Sequence, residues 1–298
     1  MPLPLPLRAA PRGESSKGGL IVFTTAADRE APSALAALTA LTKRYTTARR
    51  DPWGPVPEEL DWAIAHDPEL AMAAQRARES LAWSIVQKFG AFDRRYLDAI
   101  LFVPRERFVL PEDLDLCAED IPTPLDRAGN ATVSAPHAYL LTFRLLGLRE
   151  GDHLLELGTG TGYGSALARY IVGTEGHVTS IELDPRLHDR AARLLGADRY
   201  GEADGVTLLL GDGRRLASEV LGGVFGRWPK PTKVAVTYAL AEPAREVEAL
   251  LPEGGCLVAP VGPDNEQKLL RCERRGSSIH RVAHGSVRYV LERRSIEA

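Results

Sequence analysis

An α/β fold built on a doubly wound, mostly parallel sheet, preceded by a helical region, is what this 298-residue sequence predicts, and three observations carry the prediction. The first is the run Leu154-Leu155-Glu156-Leu157-Gly158-Thr159-Gly160-Thr161-Gly162-Tyr163-Gly164. It reads as a buried strand passing into a glycine-dense turn and then into a helix beginning near Ser165. The second is the alternation of helix and strand patterns from about Ser134 onward, the signature of a parallel sheet covered on both faces. The third is an acid at or near the end of three successive strands, Glu156, Glu182 and Asp212, on the side where such sheets bind ligands.

The elements follow in order. Residues 1–19 hold Pro, Gly, Ser and charge with little to bury, and are expected to be a flexible tail. Leu35, Leu38, Leu41 and Tyr45 recur at helical spacing, and after the breaker Asp51-Pro52-Trp53-Gly54-Pro55 a second helix is expected from Pro57. Asp67-Pro68 has the form of an N-cap with proline at the first helical position, opening a helix through Leu70, Ala74, Ala77, Leu81 and Phe89 that stops at Gly90. The expected division is therefore a tail at 1–19, a helical extension at 20–80 and a sheet domain at 81–298. Within that domain a helix follows Ala135-Pro136 and ends near Gly147. Strands are expected from about His153, over His177–Glu182, Val206–Leu210, Val234–Thr237 and Cys256–Val261, with a helix from Pro243 to Leu251. Gln267–Arg274 and Val287–Leu291 read as a closing pair joined by a Gly-Ser turn, giving a seven-stranded sheet.

Composition narrows the function classes. With 37 Lys+Arg against 40 Asp+Glu the net charge is −3, and basic pairs such as Arg94-Arg95 and Arg274-Arg275 are scattered, so no electrostatic footprint for nucleic acid is present. Cys117, Cys256 and Cys272 are odd in number and form no C-x-x-C pattern. His280 and His284 sit in a strand-and-turn pattern rather than on one helix face, and no metal is expected. The leucine–proline start lacks the continuous apolar run of a signal peptide, and no segment is apolar enough to span a bilayer. The expected setting is the cytoplasm, without membrane or nucleic-acid partners.

The glycine turn has a definite spacing. The dinucleotide fingerprint G-x-G-x-x-G fails, because Tyr163 or Ser165 falls where its third glycine should stand, and no Lys-Ser/Thr follows as in a phosphate-binding loop. What remains, acidic-x-Gly-x-Gly-x-Gly over Glu156, Gly158, Thr159, Gly160 and Gly162, resembles the first motif of class I S-adenosylmethionine-dependent methyltransferases. Glu182, about 20 residues beyond the glycines, stands where a carboxylate accepts from ribose hydroxyls. Asp212 in Gly211-Asp212-Gly213 is expected to face the adenine amino group.

More specific segments extend the resemblance from about Leu81 to the end. Val103-Pro104-Arg105-Glu106-Arg107-Phe108-Val109 and Ala131-Thr132-Val133-Ser134-Ala135-Pro136-His137 are similar to two signatures of the protein-L-isoaspartate O-methyltransferase family, the second almost letter for letter. Gly211-Asp212-Gly213, Leu250–Gly255, Pro260-Val261-Gly262 and Gln267 fall in family order. The resemblance implies a class I methyltransferase sheet and S-adenosyl-L-methionine as cofactor. It also implies methyl transfer to a carboxylate of an isoaspartyl or altered aspartyl residue in a peptide or protein. Ser134 falls at the motif serine facing the substrate carboxylate, with Thr132 beside it. Thr132 and Val133 line the cofactor, and Gly158, Glu182, Leu183, Asp212, Gly213 and Gln267 fall at cofactor positions. A methyl ester formed in this way can close to a succinimide, in repair or in tailoring a ribosomally made peptide. A small-molecule natural-product methyltransferase, or a non-catalytic module binding the cofactor or isoaspartyl peptides, remain the alternatives.

The chain departs from the family pattern at Asn130, where glutamine is usual, at Tyr139, which replaces the second histidine of Pro-His-x-His, and at Pro231-Thr232. Tyr238 stands where the family has small residues. It is expected either to reshape the acceptor pocket or to pack against the N-terminal helices, and the enlarged helical extension is expected to act as lid, dimer surface or peptide-docking surface.

Overall fold

The computed structural model describes residues 68–126, 129–198, 201–224 and 230–293. The tail at 1–19 and the helices expected within 32–45 and from Pro57 lie outside the described residues.

Parallel pairing of five apolar strands sets the architecture. β3 (His153–Leu157), β4 (His177–Glu182), β6 (Val206–Leu210), β7 (Lys233–Val236) and β8 (Cys256–Val261) run in the order β8-β7-β3-β4-β6. β9 (Gln267–Arg275) and β10 (Ser278–Val287) add antiparallel strands beyond β8, and β5 (Glu202–Ala203) adds a two-residue antiparallel edge beside β6. The sheet thus gains an eighth, very short strand. A separate ribbon pairs β1 (Thr123–Pro124) with β2 (Thr132–Val133), Thr123 opposite Val133.

Both faces of the parallel core are covered, which is why its strands are apolar throughout rather than alternating. Leu154, Val178, Ala235 and Val258 enter one core with helices α1 (Pro68–Phe89), α2 (Arg94–Phe102), α3 (Pro136–Leu146), α4 (Tyr163–Val172) and α5 (Pro185–Leu195). Their strand neighbours Leu155, Ile181, Val234 and Leu257 enter a second core with α6 (Gly213–Gly222) and the single turn α7 (Arg245–Glu248). Among the described residues no helix is long and apolar enough to cross a membrane, and no cluster of three His, Cys, Asp or Glu side chains is placed to hold a metal ion. The three cysteines are buried and free.

Three boundaries differ from expectation. The helix expected over Pro243–Leu251 is only Arg245–Glu248. The strand pairing with β9 is Ser278–Val287, not Val287–Leu291, and the two meet at a tight turn in which Gly276 has φ +58°. β10 is an edge strand exposed along most of its length, so it lacks the apolar signal that made Val287–Leu291 look like a strand. Helix α1 runs unbroken through residues 80 and 81 and contributes Ala77, Leu81, Ala82 and Ile85 to the first core, alongside Leu154 and Ile171. Leu81 and Ile85 are fully buried. Leu81→Ala is therefore expected to cost about 2–5 kcal/mol of unfolding free energy, read as a lower urea midpoint at unchanged slope. A loss within about 0.5 kcal/mol, the range of surface substitutions, would detach α1 from the core.

Candidate active site

The site forms where β3 ends between its two parallel neighbours. Leu157 pairs with Ile181 on one side and Val236 on the other, so the residues that follow all three strands emerge along one sheet edge. Gly158 follows β3 at φ +97°, and a Cβ there would overlap the Thr237 hydroxyl and touch the Tyr238 ring. Only glycine satisfies both the backbone angle and that approach. The Thr237 hydroxyl donates to the carbonyls of Leu157 at 3.0 Å and Gly158 at 2.6 Å, tying the end of β7 to the turn.

Glu182 holds the other side. It is 6% exposed; its carboxylate accepts from the Gly160 N–H at 2.7 Å and the Asp184 N–H at 2.9 Å. Burial raises its pKa, while those amides, the Leu183 N–H and the charge of Arg293 pull it back. Glu182 is thereby kept as an oriented acceptor at the strand end. Asn130, Thr132, Gly158, Gly160, Glu182, Leu183, Gly213, Thr237 and Tyr238, with Val290, Leu291 and Arg293, line a cavity of about 80 Å³. Beside it lies a cleft of about 1010 Å³ that contains Ser134, His137 and Tyr289 and shares Asn130, Thr132, Thr237, Val290, Leu291 and Arg293 with the smaller cavity. His137 stacks on Phe89 at 4.4 Å and is hydrogen-bonded to the buried Asp120 at 2.9 Å, fixing one wall of the cleft.

Of the residues singled out from sequence, Thr132, Gly158, Gly160, Glu182, Leu183 and Gly213 meet at the smaller cavity, and Ser134 lies in the adjoining cleft. The others line neither cavity. Val133 turns into the first core. Thr159 bonds Ser180 at 2.6 Å, Gly162 is the N-cap of α4, and Asp212 caps α6 through the Arg215 N–H at 3.0 Å. Glu156 is buried beneath the glycine turn, where it accepts from Ser165 and from Ser180 at 2.8 Å. Gln267 does not line the cavity: its amide accepts from the Tyr289 N–H at 2.6 Å and donates to the Tyr289 carbonyl at 3.0 Å. It therefore acts on the C-terminal segment, which is further held by Ala239 N–H to Val290 carbonyl (2.8 Å) and Glu292 N–H to Ala239 carbonyl (2.9 Å).

Among the described residues, the Tyr238 ring lies over Gly158 and its hydroxyl faces Gly213, so it forms a wall of the smaller cavity and packs on the second core. Ser134 does not cap α3; the N-cap is Ala135, without a side-chain bond. Val290, Leu291 and Arg293 carry no motif, and the only hint of them in the sequence is the apolar run mistaken for a strand.

A central parallel sheet closed by antiparallel strands, with a glycine turn facing a buried acid at the next strand end, defines the class I methyltransferase fold. The protein-L-isoaspartate(D-aspartate) O-methyltransferase family model matches residues 76–294. The chain is 38% identical over 215 residues to protein-L-isoaspartate O-methyltransferase 2 of Archaeoglobus fulgidus, covering 72% of this chain and 91% of that one. It is 36% identical over 206 residues to the Rhodopseudomonas palustris (strain BisB5) protein-L-isoaspartate O-methyltransferase, covering 69% and 88%. A solved protein-L-isoaspartate O-methyltransferase superposes with a TM-score of 0.61 at 27% identity, over 72% of this chain and 65% of that one. The chain belongs to the protein-L-isoaspartate(D-aspartate) O-methyltransferase family.

Glu156 offers a test of the layer beneath the turn. Burial raises its pKa from 4.5 to about 7, against the hydrogen bonds from Ser165 and Ser180. Between those values the native state holds the proton more tightly than the unfolded chain does, so stability is greatest below about 4.5 and falls as pH rises toward 7. The contribution is at most roughly 3 kcal/mol. Glu156→Gln is expected to flatten that slope in denaturation measured across the window; an unchanged slope would assign the pH dependence to another group.

Proposed function

We propose that the protein transfers the methyl group of S-adenosyl-L-methionine to the carboxylate of an isoaspartyl or aspartyl residue in a peptide or protein. The observation that carries this reading is the junction of two cavities: the glycine-walled one beside Glu182 opens into the large cleft through shared residues, and Ser134 lies on the cleft side. The smaller cavity fits the nucleoside end of such a cofactor, because Gly158 admits a ligand against bare backbone and Glu182 presents a buried carboxylate for ribose hydroxyls. A Plasmodium falciparum member of the same fold, with TM-score 0.61 and 19% identity, was solved with S-adenosyl-L-homocysteine.

S-adenosyl-L-methionine supplies an electrophilic sulfonium methyl group when bound. The chain's part is to place an acceptor oxygen in line with it. A carboxylate with an ordinary pKa near 4 is already ionised at neutral pH, so no general base is needed. Ser134 donates a hydrogen bond that orients the carboxylate, and Thr132, Val290, Leu291 and Arg293 border both cavities. Orientation of this kind accounts for up to roughly 7–11 kcal/mol in favourable systems. The resulting ester is attacked by the following peptide nitrogen, methanol leaves, and a succinimide forms. Hydrolysis returns aspartate in repair, whereas the same ring or its isoaspartate is the product when one aspartate of a precursor peptide is tailored. The size of the cleft suits a peptide segment rather than a small acceptor. The helical extension at 20–80 is proposed to help select that peptide.

Tritium transfer from labelled cofactor to an isoaspartyl peptide, beside its aspartyl counterpart and a no-peptide control, tests the reading. Transfer to the isoaspartyl peptide alone supports repair, transfer to the aspartyl form supports tailoring, and transfer to neither overturns peptide methylation. Ser134→Ala is expected to lower kcat with the dissociation constant of S-adenosylhomocysteine nearly unchanged; equal changes in both would move Ser134 to the cofactor side. Glu182→Ala is expected to lose about 1–3 kcal/mol of S-adenosylhomocysteine affinity by calorimetry. Unchanged affinity would remove the ribose assignment.

A further inference from the structure

We propose that Tyr139 is the positioning residue for Ser134: its hydroxyl accepts the Ser134 N–H and so fixes the main chain from which the serine hydroxyl is presented to the acceptor carboxylate. This rests on the function proposed above, within which it assigns a role to a residue that stands outside the motif serine.

The geometry starts from the helix. α3 begins at Pro136, so Tyr139 lies in its first turn, and side chains there lean back toward the helix N-terminus. The phenol oxygen accordingly reaches the Ser134 N–H at 3.2 Å. The phenol thereby holds the main chain of Ser134, whose side chain lines the large cleft. The small cavity of about 10 Å³ that borders Ser134 and Tyr139 is also lined by Glu156, which accepts from Ser165 and Ser180, and by Thr142 and Tyr289. The Ser134 hydroxyl is not spent on capping α3.

The ring is held so that its oxygen has little freedom. It meets Tyr163 edge-on, with centroids 5.6 Å apart and planes at 86°, and Phe143 lies 6.4 Å away on α3 itself. Its Cε1 lies 2.7 Å from where a Cβ on Gly164 would be, so the ring packs directly on the glycine turn. Burial and the charge of Glu156 raise the phenol's pKa, which keeps its proton in place at neutral pH. Tyr139 thereby couples the wall that faces the methyl donor to the hydroxyl that faces the acceptor.

Tyr139→Phe removes only the oxygen and keeps the ring's packing. Steady-state methylation of an isoaspartyl peptide by the full chain is expected to show kcat reduced about 10- to 100-fold, with the peptide KM and the S-adenosylhomocysteine dissociation constant within about 3-fold of wild type. Because Tyr139 acts through Ser134, the double variant Ser134→Ala/Tyr139→Phe is expected to be no slower than Ser134→Ala alone. Multiplying losses, an unchanged kcat in Tyr139→Phe, or equal shifts in kcat and cofactor affinity would overturn the assignment. Amide hydrogen exchange at Ser134 gives a readout that needs no turnover: Tyr139→Phe is expected to accelerate it at least 5-fold, and unchanged protection would also overturn the proposal. A wild-type chain inactive on the peptide, with Ser134 exchange nevertheless accelerated by Tyr139→Phe, would fault the assigned reaction and leave the pairing supported.

Discussion

Parallel pairing of β3 between β4 and β7 is the constraint on which the rest of the molecule depends, because a parallel ladder brings all its carboxyl ends out along one edge. Register then decides what meets there. With Leu157 opposite Ile181 and Val236, Gly158 is placed beside Thr237, and the Gly160 N–H comes within 2.7 Å of Glu182. A slip of one residue would exchange the two faces of β3, moving Leu155 and Leu157 out of one core and Leu154 out of the other. Two separate cores therefore hold the active edge in place, and the site inherits their rigidity.

On that edge the protein builds its walls from segments far apart in the chain. The β1–β2 ribbon brings Thr132 to one side, β7 delivers Thr237 and Tyr238 to another, and the C-terminal segment lies across the junction. The last of these has little pairing of its own beyond an isolated bridge between Leu291 and Ala239. Gln267 compensates by bonding both the N–H and the carbonyl of Tyr289, a side chain doing what a neighbouring strand would otherwise do. Its place at the start of β9 makes it a support for the C-terminal segment.

The acids illustrate how one residue type serves different ends according to depth. Glu182, at a strand terminus, is nearly covered yet faces the cavity and is oriented by backbone amides. Glu156, two residues before Gly158, is sealed under the turn and has its pKa raised by burial to about 7. Asp212 spends its carboxylate on the first turn of α6. All three looked alike as acids near strand ends, and only their surroundings separate the one that lines the cavity from the two that do not.

By itself the sequence determined the parts whose physics is local. An apolar run into Gly158-Thr159-Gly160 dictates strand, turn and helix, Glu182 closes the next strand, and Thr132 to His137 carry a motif contiguous enough to read directly. These signals need only neighbouring residues, since periodicity, glycine geometry and capping act over a few positions. The tertiary structure alone decided that Tyr238 covers the glycines, that Gln267 holds Tyr289, that Val290, Leu291 and Arg293 line the site, and that Tyr139 turns back onto Ser134. Most of these contacts join residues tens to more than a hundred positions apart, and the one short-range pair depends on a ring whose direction Tyr163 and Gly164 enforce. Such placements arise from packing and register, which no local pattern encodes.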